Sequence, residues 1–298
     1  MKTSPLLGLT VGDRAGVGPE IVASVLHYLQ EHPAFLHGCE VKVLGNPTPS
    51  LSGYPTSATS REAIDVLEEV SRSCLAGKLA AVVTGPVHKH RLHAEGFAFP
   101  GQTEFFAARA GVDNVAMLLT GGSLTVALVT AHIPLSEVSA ALSVEEIVRV
   151  GKLLVDFLAQ RGMKYPRLAV AGLNPHAGEE GDLGKEEQTI ITPAVNLLCQ
   201  IFPQASIVGP MSPDTVFWQA SQGTYDAVLC MYHDQGLIPL KLHAFDLGVN
   251  VTLGLPFLRT SPDHGTAYQI AGKGIASPQS YLAAVKLAVE FISRKTKV

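Results

Sequence analysis

Three histidines stand where the chain leaves short apolar runs. His132 follows the run 124–130, His176 follows 168–173 within Asn-Pro-His-Ala-Gly, and His233 follows 227–232 within His-Asp-Gln-Gly. Neutral imidazole is a good ligand for zinc and other borderline divalent ions. Three imidazoles leave coordination positions open for a substrate oxygen or water, so a site of this composition is catalytic rather than structural. The long spacings carry no local ligand motif such as HExxH, and each histidine taken alone fits a helix cap or a hydrogen-bonded pocket as well. Both readings stay open from spacing alone. His27, His32, His37, His88, His90 and His93 fall on expected helices or loops and read as solvated.

A second set is made for anions. Lys241, Asn250 and Arg259 fall within nineteen residues and offer two fixed cations and an amide, which suits a phosphate or a carboxylate. Surface solvation is the alternative, and it fits Lys241 best. Gly12-Asp13-Arg14-Ala15-Gly16-Val17-Gly18-Pro19-Glu20 joins a first apolar run to a helix, with Pro19 suited to the first helical turn. Its glycines allow close backbone approach to a ligand, or simply a tight turn. They do not have the GxGxxG spacing, so the Rossmann dinucleotide fingerprint is absent. The same two readings apply to Thr84-Gly85-Pro86-Val87-His88-Lys89 and to Gly101-Gln102-Thr103-Glu104.

The elements that must position these residues are legible as alternation. Short apolar runs at 6–11, 41–44, 80–83, 115–119, 124–129, 168–172, 206–208, 227–231 and 249–253 alternate with stretches of helical period. That pattern predicts an α/β chain with a mostly parallel sheet covered by helices, in which ligands collect beyond the carboxyl ends of the strands. The clearest helix begins at Ser143, where Ser-Val-Glu-Glu reads as a capping box with Glu146. Further helices are predicted at 19–30, 61–76, 186–200 and 278–293, with loop composition at 46–60. Two lobes are expected, crossed twice by the chain, with a cleft that gathers strand-end loops.

Composition narrows the function. Of 298 residues, 47% are core-forming and only 16% charged, against about a quarter in ordinary domains, and the mean hydropathy is +0.25. This excludes disorder and implies extensive burial, including burial between subunits. A formal charge of −4 with no basic run argues against nucleic acid as a partner. No stretch approaches the roughly 18 apolar residues of a membrane span, and no signal-peptide pattern precedes Gly12. Cys39, Cys74, Cys199 and Cys230 form no CxxC pair and read as small buried hydrophobes in a reducing compartment, so a cytoplasmic location is expected.

Taken in order, Gly12 to Glu20, Thr84 to Lys89, Gly101 to Phe105, Asn174 to Glu179, Gly209-Pro210 with Asp214-Thr215, Tyr232 to Gly236 and Gly248 to Gly265 resemble the 4-hydroxythreonine-4-phosphate dehydrogenase family. The resemblance spans nearly the whole chain and is strongest from Asp226 to Gly274. His264-Gly265-Thr266-Ala267 and Ile270 to Ala276, which include Gly272 and Gly274, resemble the adenosine-binding loop of isopropylmalate and isocitrate dehydrogenases.

The resemblance implies a three-layer α/β/α fold like that of those dehydrogenases, with two lobes and a cleft between them. Residues 1–120 with 250–298 would form a cofactor-side lobe, and 121–249 a metal and dimerisation lobe. It implies NAD- or NADP-dependent oxidation of 4-phosphohydroxy-L-threonine in pyridoxine biosynthesis, with a 3-oxo acid that decarboxylates to 3-amino-2-oxopropyl phosphate. One divalent ion (zinc, magnesium or cobalt) would be held by His132, His176 and His233. Gln102, Thr103, Lys241, Asn250 and Arg259 would contact substrate, and His264, Gly265, Gly272 and Gly274 the dinucleotide. The family's active site lies at a homodimer interface.

Asp234, next to a candidate ligand, is the catalytic candidate, either as general base or as an orienter of His233. Two departures stand out. Gln102 replaces the family's usual His in Gly-His-Thr-Glu and cannot hand over a proton. Arg14 replaces a usual Pro and adds a fixed charge to the glycine turn. Gln102 keeps open oxidation of a related phosphorylated sugar acid, 4-phospho-D-threonate or 4-phospho-D-erythronate. From other classes, a metal-dependent phosphoester hydrolase and a non-catalytic phospho-ligand binding protein remain alternatives.

Overall fold

The computed structural model describes residues 4–50 and 52–295. Residues 1–3, 51 and 296–298, which include the outer ends of the expected cofactor-side lobe and one position of the expected 46–60 loop, lie outside the described residues. The chain divides into two compact units, Met1–Asp113 with Val249–Val298, and Asn114–Gly248.

In the first unit, strands β1 (Leu6–Thr10), β2 (Glu40–Leu44), β3 (Ala81–Val83), β9 (Val249–Leu253) and β10 (Leu258–Pro262) lie in the order β2-β1-β3-β10-β9. β1 runs parallel to β2 and β3, β10 parallel to β3, and β9 antiparallel to β10. Helices α1 (Gly18–Glu31), α2 (Ser57–Leu75), α3 (Lys89–Ala94), α4 (Gln102–Ala110) and α10 (Gln279–Lys295) flank them. Pro19 sits in the first turn of α1, where a missing N–H leaves no bond unmade. α2 starts before the predicted position 61. Thr56 and Thr59 cap each other reciprocally there, which turns the loop-like composition of 57–60 into a first helical turn. A core of Leu67, Val70, Val82, Leu92, Phe105 and Phe106 fills the space between α2, α4 and the sheet.

In the second unit, β4 (Ala116–Gly121), β5 (Leu124–Leu128), β6 (Arg167–Ala171), β7 (Ser206–Met211) and β8 (Ala227–Cys230) lie in the order β4-β5-β8-β6-β7. β4 and β5 form an antiparallel hairpin, and β5, β8, β6 and β7 are parallel. The carboxyl ends of β5, β8 and β6, the three strands that precede the candidate histidines, therefore open on one edge of the sheet. Helices α5 (Leu135–Ala141), α6 (Val144–Gln160), α7 (Thr192–Ile201), α8 (Pro213–Ser221) and α9 (His233–Ala244) complete the unit.

Both units are α/β, as the alternation predicts, and several local expectations are corrected. Ser143 caps α6 by accepting from the Glu146 N–H, but the Glu146 carboxylate pairs with Arg149 instead of closing the box. The predicted helix at 186–200 is interrupted: Glu187–Ile191 winds as a π-turn before α7. β10, α3, α4, α5, α8 and α9 are additional elements. All four cysteines are free, but Cys199 is exposed, whereas Cys39, Cys74 and Cys230 are buried as expected. Among the described residues no helix is long and apolar enough to cross a membrane.

Candidate functional site

At the shared edge of β5, β8 and β6, two side chains stitch the strand ends together. Thr130 donates from both its N–H and its hydroxyl to the Met231 carbonyl, at 3.1 and 2.8 Å, which joins the end of β5 to that of β8. Buried Gln235 accepts from the Met231 N–H and donates to the Gly172 carbonyl, each at 2.7 Å, which joins β8 to β6. Sequence reading placed Gln235 in a motif without finding this role, because an amide that bridges two strand ends has no local signature. The segments that follow carry His132, His233 and His176.

His132 and His233 come together, with ring centroids 5.6 Å apart and planes tilted by 42°. His233 is the first residue of α9, and its Nδ1 lies 2.7 Å from Oδ1 of Asp234. A carboxylate on Nδ1 fixes the ring and leaves Nε2 as the ligating position. His132, Tyr232, His233 and Asp234 line an open pocket of ≈ 220 Å³ together with Leu135 and Val138. Two neighbouring imidazoles, one backed by a carboxylate, are a donor set that fits a divalent ion. His176 stands on the turn after β6, where it acts through space on Asp214. Asp214 is held below the ordinary carboxylate range first by its Ser212 hydroxyl bond and, with smaller effect, by His176. Within one chain, no group of three or more His, Cys, Asp or Glu side chains among the described residues gathers closely enough to hold a metal ion. The pair is brought together, and His176 shares its sheet edge.

In the first unit the anion-binding candidates gather around Arg259, which lies inside β10 with its side chain buried, not on a loop. Its Nε and Nη2 donate to the Thr84 hydroxyl at 3.1 and 2.9 Å, Nη1 to that of Thr252 at 2.9 Å, and Nη2 to Oε1 of Gln102 at 3.1 Å. The guanidinium also lies 5.7 Å from the ring centre of Phe106. Burial pulls its pKa down to about 10, with Glu104 opposing, so it is still a cation at neutral pH. These bonds go to neutral oxygens, and a desolvated cation so arranged calls for an anion.

Gln102 opens α4, and its Nε2 donates to the Gly85 carbonyl at 3.2 Å. Thr103 meets Thr252 at 3.4 Å. Asn250 shares a strand face with Thr252, and its Oδ1 is buried with no hydrogen-bond partner among the described residues. Lys241 belongs to the second unit, half-buried near the end of α9. Thr84 and Thr252, which hold Arg259, stand in quoted motifs without this role being found, since a threonine on or just beyond a strand carries no mark of it.

The loop that begins at His264 packs on the glycine turn. Val17 N–H donates to the Thr266 carbonyl at 3.0 Å, the Tyr268 hydroxyl to buried Asp13 at 2.7 Å, and Gly274 N–H to Glu20 at 3.0 Å. Gly272 and Gly274 have φ of 76° and 67°, and Nε2 of His264 is buried without a partner among the described residues. A Cβ on Gly16 would stand 2.5 Å from the Thr266 carbonyl, and one on Gly18 1.9 Å from that of Val11. At these positions glycine is required by the protein's own backbone, which accounts for the tight turn. Arg14 lies 2.8 Å from Glu62, so its charge is paired.

The sequence and fold match known proteins along nearly their whole length. A family model described as pyridoxal phosphate biosynthetic protein PdxA matches residues 22–288. A 4-hydroxythreonine-4-phosphate dehydrogenase of Desulfosudis oleivorans is 42% identical, with 97% of each chain covered. The crystal structure of a 4-hydroxythreonine-4-phosphate dehydrogenase from Klebsiella pneumoniae superposes with a TM-score of 0.80 at 34% identity, covering 97% of this chain and 100% of that one. A terephthalate 1,2-cis-dihydrodiol dehydrogenase from Burkholderia xenovorans gives 0.69 at 25% identity, covering 97% and 98%.

Proposed function

The chain belongs to the PdxA family of pyridoxal phosphate biosynthetic proteins, and on that footing we propose how its residues carry the family's oxidation. It is an oxidoreductase of vitamin B6 biosynthesis, and its substrate is 4-phosphohydroxy-L-threonine. NAD or NADP takes part, with one zinc, magnesium or cobalt ion per site. The ion, when bound, supplies positive charge that stabilises negative oxygen during oxidation and decarboxylation, and the nicotinamide supplies the hydride acceptor. His132, His176 and His233 are the residues that would hold the ion.

The observation that carries the substrate reading is Arg259. Its guanidinium is held by neutral oxygens, ready for the phosphoryl group, so binding energy at that end places the reacting carbon. Gln102 orients Arg259, and Thr103 and Asn250 complete the polar lining, with the open acceptor of Asn250 suited to an N–H or O–H of the substrate. Lys241 adds a second cation for the phosphorylated end. Asp234 serves His233 as an orienter through its 2.7 Å contact. His264, Gly265, Gly272 and Gly274 receive the dinucleotide.

The working form is a homodimer in the cytoplasm. α9 carries apolar side chains on both its buried and its exposed side: Leu237, Leu240 and Ala244 are buried, while Ile238 and Leu242, with Phe245 just past its end, are exposed, Leu242 at 90%. An exposed cluster of large apolar side chains marks a contact surface, and a second copy supplies the missing cover.

The test follows absorbance of the reduced nicotinamide with 4-phosphohydroxy-L-threonine, with and without chelator, beside an assay for inorganic phosphate. Metal-dependent reduction of NAD or NADP is expected. Phosphate release without any dinucleotide would replace the dehydrogenase with a hydrolase, and tight ligand binding without turnover would replace it with a binding protein. Gln102 favours one further reading. Its amide is committed to Arg259 and Gly85 and transfers no proton, which leaves 4-phospho-D-threonate and 4-phospho-D-erythronate as substrates to be ranked by kcat/KM in the same assay.

A further inference from the structure

Five consecutive residues after β6 hold left-handed backbone: His176, Ala177, Gly178, Glu179 and Glu180, with φ of 52°, 53°, 81°, 41° and 55°. L-residues visit this region singly and at a cost, so a complete left-handed turn with four non-glycine members persists only where its surroundings impose it. At its borders it is tied by Ala177 N–H to Asn174 O at 3.2 Å, Asp182 N–H to Glu179 O at 3.1 Å and Leu183 N–H to Gly178 O at 3.1 Å.

Gln188 adds a bond from Nε2 to the Glu180 carbonyl at 2.6 Å, and Glu186 accepts from Nδ2 of Asn174 at 2.9 Å. The support that is buried comes from one carboxylate. Glu187 accepts at Oε1 from the N–H groups of Leu173 and Asn174, each at 2.7 Å, and at Oε2 from Nδ2 of Asn174 at 3.0 Å. It is 3% exposed. The turn is fitted around that carboxylate. A Cβ on Gly178 would stand 2.7 Å from Oε2 and one on Gly172 3.2 Å from Oε1, while one on Gly184 would stand 2.2 Å from Nδ2 of Asn174. Glu187 itself begins the π-turn Glu187–Ile191, an irregularity that interrupts regular helix just ahead of α7. A left-handed turn on one side and a π-turn on the other thus meet at a single side chain, and the left-handed turn carries His176.

We propose that Glu187 is the positioning residue for His176: its carboxylate locks the left-handed turn and so fixes where that imidazole stands, without touching substrate or ion. The inference rests on the metal reading of His176 given above, and the experiment separates the two. In Glu187→Gln the amide keeps one oxygen for the backbone N–H groups but turns an NH₂ toward Nδ2 of Asn174, donor against donor. The control is Leu198→Ala, a buried residue of α7 that packs by Gly151 and has no part in the site.

Full-length wild type and both variants are compared by amide hydrogen exchange, by thermal midpoint, and by turnover of 4-phosphohydroxy-L-threonine as Co²⁺ is titrated into chelator-treated protein. For Glu187→Gln we expect faster exchange across 173–183, read most clearly at Asp182 and Leu183. The Co²⁺ concentration for half-maximal turnover should rise about 10–100-fold, with turnover recovering at high Co²⁺. Leu198→Ala is expected to lower the thermal midpoint and leave the Co²⁺ requirement in place. Faster exchange with turnover lost at every Co²⁺ concentration would support the positioning role and overturn the metal assignment of His176. Wild-type turnover in Glu187→Gln, turnover lost with unchanged exchange across 173–183, or an equal shift in Leu198→Ala would overturn the proposal.

Discussion

Arg259 shows how much a single side chain can say once its surroundings are known. By type alone it is one of 22 lysines and arginines, and it stood out in the sequence because the chain is poor in charge. Buried on β10, it donates to Thr84, Thr252 and Gln102, and this neutral cradle keeps its full charge for a ligand. Gln102 is the natural place to disturb the balance. In Gln102→Glu a carboxylate would replace Oε1 at 3.1 Å from Nη2 and form an internal ion pair that competes with the phosphoryl group. A hydrogen bond to a charged group contributes about 1.5–3 kcal/mol, so KM for the phosphorylated substrate should rise roughly 10–100-fold. The thermal midpoint should change little, since the buried cation gains a partner while the second carboxylate oxygen faces the Gly85 carbonyl to which Gln102 now donates at 3.2 Å. Steady-state kinetics with a melting curve checks both, and an unchanged KM would remove Arg259 from the phosphoryl site. Residue type pointed to the histidines and to Arg259. It gave no sign of Thr84, Thr252, Gln235 or Glu187, whose roles depend on what lies across the sheet or beside a turn.

Elements were legible where burial leaves a period and invisible where it does not. α6 buries one stripe, Ile147, Val148, Leu154, Val155 and Leu158, and its start at Ser143 stands out in the sequence. α9 has Pro239 inside it and apolar side chains on its exposed as well as its buried side, so neither an amphipathic stripe nor a clean start marks it. β10 reads Leu-Arg-Thr-Ser-Pro, too polar for a strand by composition, because its polar side chains face a site and its neighbours rather than a hydrocarbon core. The double-faced character of α9 gives an expectation of its own. Each exposed large apolar side chain that becomes covered contributes about 1.5–3 kcal/mol, so Leu242→Asp should disrupt the dimer. Sedimentation velocity at micromolar concentration is expected to show wild type as a dimer and the variant shifted to monomer. A variant that sediments as wild type would place the interface elsewhere.

At the scale of the molecule, the alternation of strands and helices carried the α/β class, and the order of motifs carried the family. What the sequence could not convey is strand order. His132, His176 and His233 lie far apart along the chain, and they share a sheet edge because β5, β8 and β6 are neighbours and parallel. Two of the three imidazoles already adjoin within one chain, and Asp234 fixes one of them. The account therefore centres on a shared divalent ion. Titration of chelator-treated protein with Co²⁺, read by its visible absorption and by calorimetry, measures this most directly. One ion per chain is expected for wild type, with affinity lowered at least about tenfold in each of His132→Ala, His176→Ala and His233→Ala. An affinity that survives the loss of any one of the three imidazoles, or the absence of stoichiometric binding by wild type, would contradict it.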